Sequence, residues 1–301
     1  MGRMRRLKVT GEDAYYHLIS RTVGGEYYIG DIEKEKLLRI IKTFSKLYFV
    51  KVIGFCIMDN HFHLIVKSET NDKYSDEEIV RRVRRYYRDN KKILTPYDIS
   101  CYRAKLENIS EYMKSIKLSF TRWYNKKNSR KGYLWGDRFK SVLIESGESL
   151  LNTLAYVDLN PIRAGIVKVP EDYRWSSMGY RFGKGDKGGF LSFEGVFEIE
   201  DKHAFNYYRE LVYKAGGMEK EDAGKIDIEI IKKEISRDFN MPKNELYLKK
   251  VRYFSDGLVI GSKSFIREAY ATFSGDIIKK KERKAHKTGI SENIYSIRCL
   301  S

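Results

Sequence analysis

The sequence predicts an α+β fold, an antiparallel sheet with helices on its faces. Two observations carry that prediction. Runs rich in β-branched and aromatic residues alternate with amphipathic stretches in the order strand, helix, hairpin, helices, strand, helix. A hairpin signal at residues 49–67, with Met58, Asp59 and Asn60 as its turn, demands antiparallel neighbours and argues against a doubly wound parallel sheet. With 301 residues, 42% apolar and 14% aromatic, the chain has enough apolar mass for one large or two modest domains.

Each element has a local reason. Residues 14–23, AYYHLISRTV, favour a strand and run into a turn at Gly24 and Gly25. Asp31 is placed to cap a helix whose Leu37, Ile40, Ile41, Phe44, Leu47 and Tyr48 recur every three or four residues. The hairpin strands are FVKVIGFCI at 49–57 and HFHLIVK at 61–67. Ser75 caps a helix in which Ile79, Val80, Val83, Tyr86 and Tyr87 sit among Arg81, Arg82, Arg84, Arg85 and Arg88. A further helix starts at Ser110, buries Tyr112, Ile116, Phe120 and Trp123, and ends in the basic loop KKNSRKG at 126–132. Residues 138–146 form another strand, and a helix from about Ser149 to Asn160 is expected to end at Pro161.

The Gly-rich stretch 183–189 marks a boundary, giving a catalytic domain at 1–182, a linking segment at 183–224 and a helical extension at 225–301. In that extension Ile228, Ile231, Ile235 and Phe239 mark one helix, and Phe265, Ile266, Ala269, Tyr270 and Phe273 mark another capped by Ser262. A basic tail, KKKERKAHK, follows at 279–287. Two helices about a turn suit either a helix-turn-helix for duplex DNA or a plain helical cap.

Charge narrows the partner. Lys and Arg number 58 against 41 Asp and Glu, so the chain carries +17, which calls for a polyanion such as DNA, RNA or an anionic membrane surface. The most apolar stretch, Phe49 to Met58, is too short to span a bilayer and contains Lys51, and the basic N-terminus has no hydrophobic segment, so neither a membrane span nor a signal peptide is expected. Cys56, Cys101 and Cys299 are odd in number and form no CxxC, which fits a reducing cytoplasm without a disulfide framework or zinc ribbon.

Candidate chemistry begins with His61 and His63. Two apart on a strand, both imidazoles leave one sheet face while Phe62, Leu64 and Val66 leave the other. That spacing lets them share one metal ion, although two histidines on a solvated face would look the same. On the helix before Pro161, Leu150, Leu151, Leu154 and Val157 form the core stripe; Tyr156 lies nearly opposite, with Asn152 and Asn160 one turn to either side. A tyrosine on a polar face suits an exposed structural residue as well as a nucleophile. Asp158 falls near the apolar stripe with no evident reason. A phenol beside a bound divalent cation can attack a phosphodiester, with Asn160 offering an amide oxygen to the ion.

Several blocks together resemble the REP-associated tyrosine transposases of the HUH single-strand endonuclease superfamily. They are GFCIMDNHFHLIV at 54–66, GYLWGDRFKSVLIES at 132–146, YVDLNPIRAGIV at 156–167 and YRWSS at 173–177, and the resemblance covers roughly residues 10–180. It implies a ferredoxin-like sheet with the His pair on a central strand. It also implies His61 and His63 as metal ligands, Tyr156 as nucleophile and Asn160 as a shorter stand-in for the usual third ligand. Tyr124 and Tyr133 compete for the nucleophile's role but sit in or before a loop. The implied reaction is nicking and rejoining of hairpin or palindromic single-stranded DNA with Mg²⁺ or Mn²⁺, through a 5′-phosphotyrosine, by a monomer or homodimer in the cytoplasm near the nucleoid. Arg81, Arg84, Arg85, Lys126, Lys127, Arg130, Lys131, Arg138 and Arg163 are the expected DNA contacts, and Tyr86, Tyr87 and Trp135 either stack bases or belong to the core. Two other readings stay open. One is a DNA-binding regulator that keeps the fold without cutting. The other is a metal hydrolase, for which His17, His203 and His286 are the only histidines left.

Overall fold

A computed structural model describes residues 6–182, 189–197, 202–217, 225–235, 254, 257–277, 285–287 and 294–298. The first half realises the predicted order. Strand β1 (Ala14–Arg21) leads to helix α1 (Asp31–Ser45), then to the hairpin β2 (Val50–Ile57) and β3 (His61–Ser68). Three helices follow, α2 (Asp76–Tyr87), α3 (Pro96–Glu107) and α4 (Ile109–Lys127), before β4 (Lys140–Ile144) and α5 (Glu148–Asp158). The strand order β2-β3-β1-β4 is that of a ferredoxin-like sheet, with antiparallel pairing throughout these four strands. Strand β3, which carries the His pair, is central.

The pleat sorts side chains into two cores. Tyr16, Leu18, Phe62, Leu64 and Val66 face α1 and α4. Ile53, Cys56, Ile65, Val142 and Ile144 face α5. Packing is closest at Gly54, where a Cβ would come 2.1 Å from Leu154 Cδ1, so only glycine lets α5 lie this near β2. The YRWSS block is stitched to the same strand: Tyr173 Oη donates to the Ile57 carbonyl at 2.7 Å, Ile57 N donates to the Trp175 carbonyl at 2.9 Å, and Phe55 N donates to Ser177 Oγ at 3.1 Å.

Several local expectations shift. Gly30 takes the N-cap position of α1, and Asp31 is its first residue, an acid in the first turn. Helix α3 went unpredicted because its hydrophobic period is weak; a capping box between Thr95 and Asp98, with Pro96 at the first turn, starts it instead. Pro161 does not end the helical path. A short helix, α6 (Asn160–Arg163), continues it, with proline in the first turn where no N–H is needed. Helix α7 (Ser177–Phe182) follows.

The second half departs further. The expected linking segment contains α8 (Lys202–Gly217), whose Tyr208, Leu211 and Val212 join the core around α5. Beyond α9 (Ile228–Ile235), the expected helical extension also contains strands. Strand β5 (Gly257–Gly261) pairs parallel to β4, and β7 (Tyr295–Arg298) and β6 (His286–Lys287) extend the sheet to seven strands among the described residues. Helix α10 (Lys263–Ile277) has the expected Ser262 cap, Phe265 N donating to Ser262 Oγ at 3.2 Å. Strand β5 lies between α9 and α10, and residues 236–253, which the expected helix-turn-helix would include, lie outside the described residues. Residues 183–188 of the Gly-rich boundary and 279–284 of the basic tail lie outside the described residues.

Candidate active site

The register fixes which side chains meet on the α5 face. His61 opposes Arg21, His63 opposes Ile19 on β1 and Cys56 on β2, and His17 opposes Ile65. Opposed residues share a face, so His17, His61 and His63 gather on it. The His61 and His63 ring centroids are 5.0 Å apart, and those of His17 and His63 also 5.0 Å. Tyr156 stands edge-on to both His63, at 5.8 Å, and His17, at 6.0 Å. The structure brings Tyr156 beside the His pair and adds His17, which the sequence left among the remaining histidines. Strand parity already put His17 on one face with Tyr15 and Ile19, but the β1–β3 register needed to bring it beside His63 is non-local.

Tyr156 is not on a solvated face as expected. It is 5% exposed, and Asn152 is 2%; the Tyr156 ring lies against His17 and His63 of the sheet, with Phe254 and Arg163 packed on it. Phe254 stacks on the Tyr156 ring at 5.2 Å, and the Arg163 guanidinium carbon sits 5.0 Å from the ring centroid. The Tyr156 carbonyl accepts from Asn160 Nδ2 and from Arg163 Nη1, both at 3.0 Å. Asn160 Nδ2 also reaches the Val157 carbonyl at 3.1 Å, the group that Pro161 leaves without its usual i+4 donor. Asn160 therefore ties off the helix end with its nitrogen, which leaves its oxygen as the atom to offer a cation.

Asp158, unexplained by the sequence, is the clasp of this helix. Its carboxylate is fully buried and accepts from Ser177 Oγ at 2.6 Å, Met178 N at 2.9 Å and the Tyr208 hydroxyl. It joins α5 to α7 and α8, and burial pushes its pKa up to about 6 against the pull of those donors.

The electrostatics favour neutral imidazoles. Burial, with Arg21 nearby, pulls His61 down to about 4, and burial, with His17, His61, Arg21 and Arg163 around it, pulls His63 well below its usual range. His61 Nδ1 lies 2.6 Å from Asn60 Oδ1, and the amide is oriented by Asn60 Nδ2 donating to the Gly25 carbonyl at 2.8 Å. An oxygen only accepts, so His61 is protonated on Nδ1 and keeps a lone pair on Nε2. That donor chemistry fits a divalent cation. Among the described residues no group of three or more His, Cys, Asp and Glu side chains is arranged to hold a metal, so further ligands would come from Asn160, water or phosphate.

The expected DNA contacts divide between the two ends of the sheet. The loop after α4 and the segment to β4 lie at the His61 end: Val23 N donates to the Leu134 carbonyl at 3.0 Å, Gly136 N to the Arg21 carbonyl at 3.0 Å, and Arg130 lies 4.8 Å over Tyr28. Lys126, Lys127, Lys131 and Arg138 are exposed there, with Lys127 paired to Glu33 at 2.5 Å. Arg163 stands beside Tyr156 itself; burial pulls its pKa down to about 10, so it remains a cation, and its Nη2 is buried with no hydrogen bond among the described residues. Arg81, Arg84 and Arg85 are elsewhere. Helix α2 follows the Ser68 end of β3 and packs on the end of α1, with Tyr86 5.5 Å from Phe44 and Arg82 donating to the Tyr48 carbonyl at 3.0 Å. An eight-residue strand puts roughly 23 Å between the two ends, so these arginines are not beside the His pair. Trp135 is core, 5.4 Å from Phe62, whereas Tyr87 is 50% exposed. Of the competing tyrosines, Tyr133 is 88% exposed and Tyr124 packs against Tyr28 and Phe120.

The chain is similar to several known proteins. Residues 10–90 match the family model described as "Transposase IS200 like". A Haemophilus influenzae protein carrying the name REP-associated tyrosine transposase is 26% identical over 168 residues, 52% of this chain and 81% of the relative. A solved REP-associated tyrosine transposase bound to a REP hairpin aligns with 67% of this chain and 94% of its own, at 15% identity and a TM-score of 0.42. A transposase-named structure from Deinococcus radiodurans aligns with 46% of this chain and 85% of its own, at 14% identity and a TM-score of 0.28. Residues 10–90 are thus similar to the IS200-like transposases, and about half of the chain is similar to a REP-associated tyrosine transposase.

Proposed function

We propose that the protein nicks and rejoins single-stranded DNA at hairpin or palindromic sites, using Tyr156 as the nucleophile. The observation that carries this reading is the edge-on approach of Tyr156 to His63, 5.8 Å between centroids, on a face where the imidazoles are held neutral. The Tyr156 oxygen attacks a backbone phosphorus, forming a 5′-phosphotyrosine and releasing a free 3′-hydroxyl. A second 3′-hydroxyl then attacks the same phosphorus and frees the tyrosine, so the ester energy is conserved and no nucleotide is consumed. His61 and His63, with the oxygen of Asn160, would hold Mg²⁺ or Mn²⁺, which when bound polarises the phosphodiester and offsets the charge that builds on it. The Arg163 guanidinium, already against the Tyr156 ring, offers its unpaired Nη2 to the phosphate or to the developing phenolate. Lys126, Lys127, Arg130, Lys131 and Arg138 grip the strand near the cut, and Arg81, Arg84 and Arg85 reach DNA only where it extends to the far end of the sheet. A soluble location in the cytoplasm, at the nucleoid, follows from such a substrate; among the described residues no helix is long and apolar enough to cross a membrane.

The test is a denaturation-resistant adduct on the downstream strand of a hairpin-bearing oligonucleotide incubated with Mn²⁺. Tyr156→Phe should abolish it; an undiminished adduct in that variant would remove Tyr156 from the mechanism. Loss of adduct with chelator but not with His61→Ala would remove the histidines from the metal site. The near-complete burial of Tyr156 under Phe254 favours one other reading, a DNA-binding regulator that does not cut. Tight hairpin binding with no adduct under any divalent metal would select it.

A further inference from the structure

His17 is buried against His63 with both ring nitrogens engaged. Nδ1 lies 2.7 Å from the Phe254 carbonyl, and Nε2 lies 2.8 Å from His63 Nδ1. A carbonyl only accepts, so His17 carries a proton on Nδ1. The ring is 0% exposed and rests against Tyr156 and His63, an environment that keeps it neutral. Its Nε2 is then an acceptor, and the proton in the 2.8 Å bond belongs to His63 Nδ1. His63 is left with its lone pair on Nε2, which matches the state that Asn60 imposes on His61.

We propose that His17 is a positioning residue for the metal pair: braced by the main-chain carbonyl of Phe254, it holds His63 in the Nδ1–H tautomer and leaves Nε2 as the donor to a divalent cation. This rests on the reading of His61 and His63 as metal ligands. It explains why three gathered histidines do not make a three-histidine site, since His17 has no nitrogen left to give. It also assigns a task to the C-terminal half. Strand β5 pairs with β4, and the chain just before it delivers Phe254, whose carbonyl sets the relay and whose ring packs on Tyr156. An orienting partner of this kind usually contributes about 10- to 100-fold to metal affinity.

Two measurements on the full chain test it. Long-range ¹H–¹⁵N spectra of histidine-labelled, metal-free protein should show His63 protonated on Nδ1 and bare on Nε2, with His63→Asn supplying the assignment. A wild-type His63 protonated on Nε2 overturns the proposal, whatever any variant does. Mn²⁺ titration by calorimetry should show His17→Leu binding about 10- to 100-fold more weakly. His17→Gln should recover most of that loss, because its amide donates to Phe254 and accepts from His63. A folded His17→Leu with wild-type affinity and an unchanged His63 tautomer overturns the proposal too. If His61→Ala and His63→Ala bind Mn²⁺ as wild type does, the metal-ligand reading has failed instead, and the tautomer measurement tells the two failures apart.

Discussion

Replacing Asp158 by asparagine tests the clasp that holds helix α5, the helix of Tyr156. The carboxyl titrates at about 6 in the folded chain against 3.8 when unperturbed, with burial as the main cause. Folding therefore takes up a proton between those values. The contribution of Asp158 to stability is fully present below about pH 3.8 and is lost as pH rises through about 6, leaving a cost of about 3 kcal/mol at higher pH. Asparagine keeps an oxygen for Ser177 Oγ and Met178 N and turns a donor toward Tyr208, whose hydroxyl can accept, so its contacts do not depend on pH. The histidines respond in the opposite sense. His17 and His61, each pulled down to about 4, contribute stability above pH 6.5 that is lost as pH falls through their folded values. Both proteins share that behaviour, so it cancels in the difference between them. Urea unfolding followed by tryptophan fluorescence should show Asp158→Asn gaining on wild type by about 2 kcal/mol from about pH 4.5 to about pH 7.5. A flat difference, or one that falls with pH, would refute the argument that a desolvated carboxylate sits between α5, α7 and α8.

Two further outcomes are expected from packing and charge. Gly54→Ala puts a methyl 2.1 Å from Leu154 Cδ1 and should cost about 1–3 kcal/mol while lowering adduct yield, because Tyr156 rides on the helix that must move. Adding Leu154→Ala should lessen the adduct defect, and an adduct yield unchanged by Gly54→Ala alone would separate nucleophile placement from this contact. Converting Lys126, Lys127, Arg130 and Lys131 to alanine should flatten the salt dependence of single-strand binding by up to about 3 in log–log slope, and converting Arg81, Arg84 and Arg85 by up to about 2. The second effect should vanish on oligonucleotides too short to cover the roughly 23 Å between the sheet ends; its persistence there would place the strand differently.

Much of the first half was legible because its signals are local. The two-residue period of HFH sets both imidazoles on one face and Phe62 on the other whatever the sheet does next. The hairpin turn fixes β2 against β3, and the spacing of leucines on α5 marks residues of that helix that join the core. The rest depends on contacts between residues far apart in the chain. His17 becomes part of the site only through the β1–β3 register, and Phe254 only because β5 joins β4. The polar-looking side of α5 is interior because Tyr156 meets the sheet histidines and is covered by Phe254, which no property of α5 announces.

Sequence by itself thus determined the identity and spacing of the candidate groups His61, His63 and Tyr156, which follow from the pitch of a strand and of a helix. Tertiary structure decided their states. It made the imidazoles neutral and set their tautomers, put Asp158 out of water, and sent the arginine helix to the far end of the sheet. Protonation and burial depend on the groups that surround a side chain, and most of those groups come from distant parts of the chain.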